Sequence, residues 1–372
     1  MLKSKSKILF YIILSALFLI ASVMHSHSDT RRKIPAISPI TVIVPKRGGR
    51  VDWSFTNNLI VHSRYGNDGY YDLWIMKPDG SGAKCLTCNN PGIPSLHNGQ
   101  PAWHPGGNYI VFQSQDPSLP HTKKIDYAYT QPGHGLHNNL WLTDLNGENF
   151  YQLRSVKIGG AILHPCFSRD GSKLLWSEKV GRGKFDWAIM VADFFTSPRP
   201  HLENIRSFQP AGRVWYETHE FSIDGTKVLC TVAAGRKTYY NYDIWEIDME
   251  TGKWKQLTSS PDVWDEHAHY SPDGKKICWV SSKGYSYNPS RWASTLETEL
   301  CIMNSDGSNK VKITHFNEPG YPEYISEPVI VSDNSWSPDG KKIVATLIFP
   351  SYGRKSARIV IIDLEKVLLR EK

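Results

Sequence analysis

Six copies of one short pattern constrain this chain more than any other feature. An aromatic residue is followed by Ser or His, a turn with Asp-Gly or Gly-Gly, and an apolar strand. The copies are "WSFTNNLIVHS" from Trp53, "WHPGGNYIVFQS" from Trp103, "FSRDGSKLLWSE" from Phe167, "FSIDGTKVLCTV" from Phe221, "YSPDGKKICWVS" from Tyr270 and "WSPDGKKIVATL" from Trp336. They recur about fifty residues apart. A fixed period of that length is the signature of a repeat architecture. Each copy has a second half, such as "DLWIM", a turn "KPDGSG" and "AKCLT". Each unit therefore reads as four antiparallel strands, A to D, with the Asp-Gly and Asn-Gly steps supplying tight hairpin turns.

Four strands per unit and six units predict an all-β, six-bladed β-propeller over residues 41–368. The last unit ends at "ARIVIIDLEKV" and lacks a fourth strand, while "PITVIVP" precedes the first unit as a spare strand. The expectation is that this spare strand closes the ring as the outer strand of the last blade, leaving no open sheet edge.

These units resemble the WD40-like (PD40) repeats of TolB-type propellers. The strings Trp-Ser-Pro-Asp-Gly-Lys-Lys-Ile and Met-Asn-Ser-Asp-Gly-Ser-Asn-Lys carry the resemblance. TolB places an α/β domain before its propeller, and this chain has no room for one, so Tol-system roles do not transfer.

The amino terminus reads differently. Lys3, Lys5 and Lys7 precede an apolar run from Ile8 to Met24, the layout of an export signal. Val23 spoils the cleavage site, so an uncleaved membrane anchor is the alternative. Residues 1–26 are assigned to this segment, 27–40 to a linker and 369–372 to a tail. The expected location is periplasmic or extracellular, with membrane contact only through the N-terminal segment, and the expected state is a monomer. The net charge of +7 is scattered, with no basic block beside stacked aromatics, which argues against nucleic-acid binding.

Cys230 in "KVLCTV" and Cys278 in "KICWVS" read as occupants of the same strand slot in two repeats, and Cys301 as similar. All three are expected to be small buried hydrophobes. Cys85 and Cys88 form a CxxC pair that is either a disulfide or two strand-end thiols. Trp74, Trp141, Trp187 and Trp245 are expected at one slot of strand C as blade-packing residues.

The A–B and C–D turns are minimal and share one face. The B–C loops and D–A connections share the other, and three are long: Gln115 to Asn138, Lys283 to Thr298 and Phe316 to Ser332. Elaborate loops on a rigid scaffold are where function usually sits. On that face each A strand is preceded by polar residues: His97 and Gln100; His164; Glu217, His219 and Glu220; Asp265, Glu266, His267 and His269; Asp333 and Asn334. Neutral histidines and carboxylates are the usual ligands of a borderline divalent ion such as Mn or Zn. His267 and His269, one residue apart on a strand, share a side and with His219 form a candidate three-His site. His164 is a candidate base further round. Gln100, Trp215, Glu217, Trp264, Glu266 and Asp333 are candidate ligand contacts. The same residues can instead be channel hydrogen-bonders that tie blades together.

This arrangement is similar to that of the oligogalacturonate lyases, propeller enzymes that hold a metal with histidines, including a His-x-His, and a Gln. The resemblance implies proton abstraction from a uronate. The family's Gln lies three residues before the pair, where this chain has Trp264, with Glu217, Glu266 or Asp333 left as substitutes. Loop-face aromatics, among them Tyr127, Tyr129, Trp215, Tyr216, Trp264, Tyr285 and Trp292, are expected to be partly exposed and suit sugar rings. No glycine-elbow serine is found, which argues against a prolyl-oligopeptidase-type enzyme. Two functions stay open: a binding or scaffold module for a glycan or an envelope protein, and a metal-dependent lyase or hydrolase acting on acidic glycans.

Overall fold

The Ser-x-Asp-Gly turn explains how each inner hairpin forms. In the fifth repeat the Ser271 hydroxyl donates to Asp273 Oδ1 at 2.7 Å and accepts from the Lys276 amide at 3.0 Å. Asp273 also accepts the Lys275 amide at 3.1 Å, and Gly274 takes the positive φ of 69° that the reversal needs. The same Ser–Asp bond recurs at Ser168, Ser222 and Ser337. Two side chains thus satisfy the turn's backbone without outside help.

The computed structural model describes residues 38–233 and 242–370. The proposed signal or anchor and most of the linker lie outside these residues. The described residues fold into six four-stranded antiparallel sheets. The inner strands are Gly48–Trp53, Asn98–Trp103, Ile162–Phe167, Tyr216–Phe221, Asp265–Tyr270 and Ile330–Trp336, for blades 1 to 6. In blade 6 the strand Ile40–Val44 pairs with Arg358–Asp363, Ile40 opposite Ile362 and Val42 opposite Val360. The spare N-terminal strand therefore closes the ring. No helix among the described residues is long and apolar enough to cross a membrane.

The core lies between blades. Each blade–blade interface has its own buried apolar cluster. One of them joins Val344, Ile359 and Ile361 of blade 6, and Val44 of its returning strand, to Val51, Trp53 and Ile60 of blade 1. The aromatic ending each inner strand is buried in such a cluster. Side chains one position before it add polar ties: Asp52 accepts the Trp103 amide at 2.7 Å, Glu220 the Tyr270 amide at 2.7 Å, and Ser335 the Trp53 amide at 3.1 Å.

The register corrects several expectations. Cys278 lies opposite Ile302 but Cys230 lies opposite Trp245, so Leu229 is the equivalent of Cys278 and the two thiols are offset by one residue. Both stay buried because neighbouring blades cover both faces of the strand. Trp74, Trp141 and Trp245 do share a slot, opposite His62, Phe112 and Cys230. In blade 3 that slot belongs to Met190, and Trp187 starts the strand three residues earlier. Tyr216 is fully buried, its hydroxyl donating to the Gly212 carbonyl at 3.0 Å. Cys85 and Cys88 are joined in a disulfide.

Candidate functional site

The polar residues do not precede the inner strands. His97 apart, they lie inside them, most at or beside a β-bulge that interrupts the register of every inner strand: between Gly48 and Val51, Gly99 and Ala102, Leu163 and Cys166, Thr218 and Glu220, Glu266 and His269, and Val331 and Asn334. An extra residue breaks the period-2 alternation and re-aims a side chain. The re-aimed residues are Arg50, Gln100, His164, His219, His267 and Asp333, one from each blade. Gln100, His164 and His267 adopt φ of 49°, 51° and 54° to do so.

The bulges bring the six into one network across the channel. His164 Nε2 lies 2.6 Å from Glu217 Oε1, 2.9 Å from Arg50 Nη1 and 3.2 Å from Gln100 Nε2. Gln100 Oε1 accepts the His164 amide at 2.8 Å and Gln113 Nε2 at 2.6 Å. Arg50 Nη1 also pairs with Asp333 Oδ1 at 3.0 Å. The His267 imidazole stands 3.8 Å from Glu217, 3.7 Å from Asp333 and 3.7 Å from Glu266. The Thr231 hydroxyl lies 2.6 Å from His219 Nε2.

Within this network, ligand atoms of His164, Glu217, His219 and His267 all lie within 4.8 Å of one another. All four residues are buried, and the three imidazole rings are 5.4 to 5.9 Å apart. Nδ1 of each histidine has no hydrogen-bond partner among the described residues. This donor set fits a divalent ion: three imidazoles and one carboxylate, with Thr231 and Gln100 as outer supports.

The electrostatics favour the ligand forms of the three histidines. Burial holds the His164 imidazole well below its ordinary pKa, and nearby Arg50 adds to the effect. Burial does the same for His219, with His267 and His164 contributing. Burial also lowers His267, opposed by Asp333 and Glu217. At neutral pH all three rings are uncharged and able to bind a metal. Burial raises Glu217, partly offset by His267 and Arg50. Burial and the neighbouring Glu217 push Glu266 well above the usual range. Burial works against Asp333, yet Arg50, His267 and His164 hold it at about 2.

Two sequence expectations change. His269 is not part of the gathered set: the bulge between Glu266 and His269 places it on the turn side, 3.6 Å from Glu220. There it lines a separate hollow of about 80 Å³ with Arg50, His219 and Glu220. His164 sits in the gathered set itself instead of standing apart as a base. Arg50 was not among the sequence candidates, although it lies three residues before Trp53, as Gln100, His164, His267 and Asp333 lie before their own aromatics.

The network, His219 apart, lines a cavity of about 760 Å³ on the loop face. Arg50, Gln100, His164, Glu217, Glu266, His267 and Asp333 all line it. Trp264 and Trp292, ring centroids 5.2 Å apart, line it together with Trp215, whose ring is 4.4 Å from Trp187. The long blade 2 loop reaches over the cavity with Tyr127, Gln131 and Pro132. Buried Asp126 anchors that loop, accepting from Gln115 Nε2 at 2.7 Å and the Tyr70 hydroxyl at 3.0 Å. Tyr127 nevertheless remains 62% exposed. The short helical turn Pro350–Ser356 of blade 6 adds Pro350 and Gly353, a contribution the loop lengths had not suggested.

No family model and no curated protein matches the chain. Among solved structures, TolB from Acinetobacter baumannii aligns with a TM-score of 0.50 and 19% identity over 86% of this chain and 63% of that one. The fold is that of a TolB-like propeller. The chain spans less than two thirds of that TolB. A gluconolactonase from Xanthomonas campestris aligns at 0.53 with 12% identity, over 87% of this chain and 89% of that one. An oligogalacturonate lyase in complex with manganese aligns at 0.49 with 13% identity, over 88% and 94%. At these identities the TolB and gluconolactonase likenesses establish the fold alone, and the lyase likeness carries no argument.

Proposed function

We propose that this chain is an extracytoplasmic binding propeller that takes an acidic glycan in its loop-face cavity, with a divalent cation held on the cavity floor. One observation carries the reading: ligand atoms of buried His164, Glu217, His219 and His267 lie within 4.8 Å of one another, and three of these residues, His164, Glu217 and His267, line the 760 Å³ cavity. The ion would be held by His164, Glu217, His219 and His267, and when bound it supplies a Lewis acid for a carboxylate oxygen. Trp215, Trp264 and Trp292 in the cavity walls suit the apolar faces of sugar rings. The Cys85–Cys88 disulfide fits an oxidising compartment, as does the basic-then-apolar leader. A concave cavity of about 760 Å³ favours a glycan over an envelope protein as the occupant.

A second reading, a metal-dependent lyase or hydrolase on the same ligand, is favoured by Glu266. This buried acid tends to keep its proton and stands 3.7 Å from His267, an arrangement that suits proton transfer.

Titration calorimetry with oligogalacturonides, and with neutral oligosaccharides as a control, tests both readings. Binding of the acidic series that disappears with EDTA is expected. Ultraviolet absorbance of the same mixtures detects unsaturated products and separates lyase from binder. Equal binding of neutral and acidic series, or none of either, would sink the acidic-glycan reading.

A further inference from the structure

Arg50 is delivered to the channel by the blade 1 bulge, and its side chain is only 10% exposed. Nη1 makes both of its contacts, to His164 Nε2 at 2.9 Å and Asp333 Oδ1 at 3.0 Å. His164 Nε2 is also 2.6 Å from Glu217 Oε1. One imidazole nitrogen either carries a proton and donates, or is bare and accepts. It cannot accept from Arg50 and donate to Glu217 at once. Nε2, not the unpartnered Nδ1, is the His164 nitrogen that faces Glu217, so an ion shared by His164 and Glu217 would take Nε2, the nitrogen against which the guanidinium already stands. Arg50 cannot shed its charge to make room, because a guanidinium stays protonated in proteins.

We propose that Arg50 is a built-in counter-cation that competes with the divalent ion, so that ion entry requires the guanidinium to leave His164 while Asp333 retains it. This rests on the metal site proposed above. Its consequence is a lowered metal affinity. Repulsion between a dication and a unit charge about 4 Å away, at a dielectric of about 20, exceeds what a tenfold change in affinity requires, even after the side chain relaxes.

The test is calorimetric titration of the folded protein with Mn²⁺ and Zn²⁺, comparing the parent with Arg50→Met and Arg50→Lys. Arg50→Met is expected to bind at least tenfold more tightly. Arg50→Lys, which keeps the charge, is expected to stay near the parent. Equal affinity of the parent and Arg50→Met overturns the competition and leaves the metal site standing. No ion bound by any of the three proteins overturns both. Should Arg50→Met fail to fold, Arg50→Gln makes the same comparison.

Discussion

His62 shows what burial does to a single ionisable side chain in this scaffold. It is 1% exposed in the second strand of blade 1, and its Nδ1 lies 3.1 Å from the Ser63 carbonyl. Burial lowers its pKa from 6.5 to about 4, with Arg64 acting the same way and the Ser63 carbonyl opposing. Above pH 6.5 the ring is neutral in both folded and unfolded chains. As pH falls, the unfolded chain takes up a proton first, so stability is lost on the way down towards pH 4. Between pH 7 and 5 that loss is about 2 kcal/mol. His62→Leu should lower the melting temperature at pH 7 yet lose less of it on going to pH 5 than the parent does. An identical loss in both proteins would show that His62 does not carry this term. His62 itself is legible in the sequence only as a strand residue, since its neutral state depends on packing between blades. Arg50 is the opposite case. Its position three residues before Trp53 is visible in the chain, but a search for histidines and acids passes over a lone arginine.

At the scale of elements, the inner-strand bulge is the device that builds the site. Strand alternation alone puts His267 and His269 on one side, which is how the sequence reads. The extra residue between Glu266 and His269 separates them and turns His267 towards His164 and Glu217 instead. Bulges leave little trace in composition, so the strands, turns and repeat period are legible while the ligand set is legible only in part. The blade 2 loop follows the same logic. Its length is plain in the sequence, but its docking is not. An added Cβ on Gly99 would meet Pro132 Cγ at 2.2 Å. Gly99→Ala should therefore push the loop off the inner strand, at a cost of about 1–3 kcal/mol. Limited proteolysis should then cut within residues 116–137 faster than in the parent. Unchanged protection would mean that the loop is held by the Asp126 anchor alone.

At the scale of the whole molecule, the candidate site belongs to no single blade. His164 comes from blade 3, Glu217 and His219 from blade 4, and His267 from blade 5. Arg50, Gln100 and Asp333 complete the ring from blades 1, 2 and 6. The returning strand Ile40–Val44 and the polar ties at Asp52, Glu220 and Ser335 hold these blades at fixed spacing. Such a closed ring gives a site little freedom to collapse or spread, so an ion should bind in simple stoichiometry. The decisive measurement is elemental analysis of the purified protein after loading with Mn²⁺ or Zn²⁺ and desalting, beside His164→Ala/His267→Ala and His269→Ala. The account predicts about one equivalent of metal in the parent and in His269→Ala, and none in the double variant. Metal absent from the parent, or lost in His269→Ala while the double variant keeps it, would contradict it.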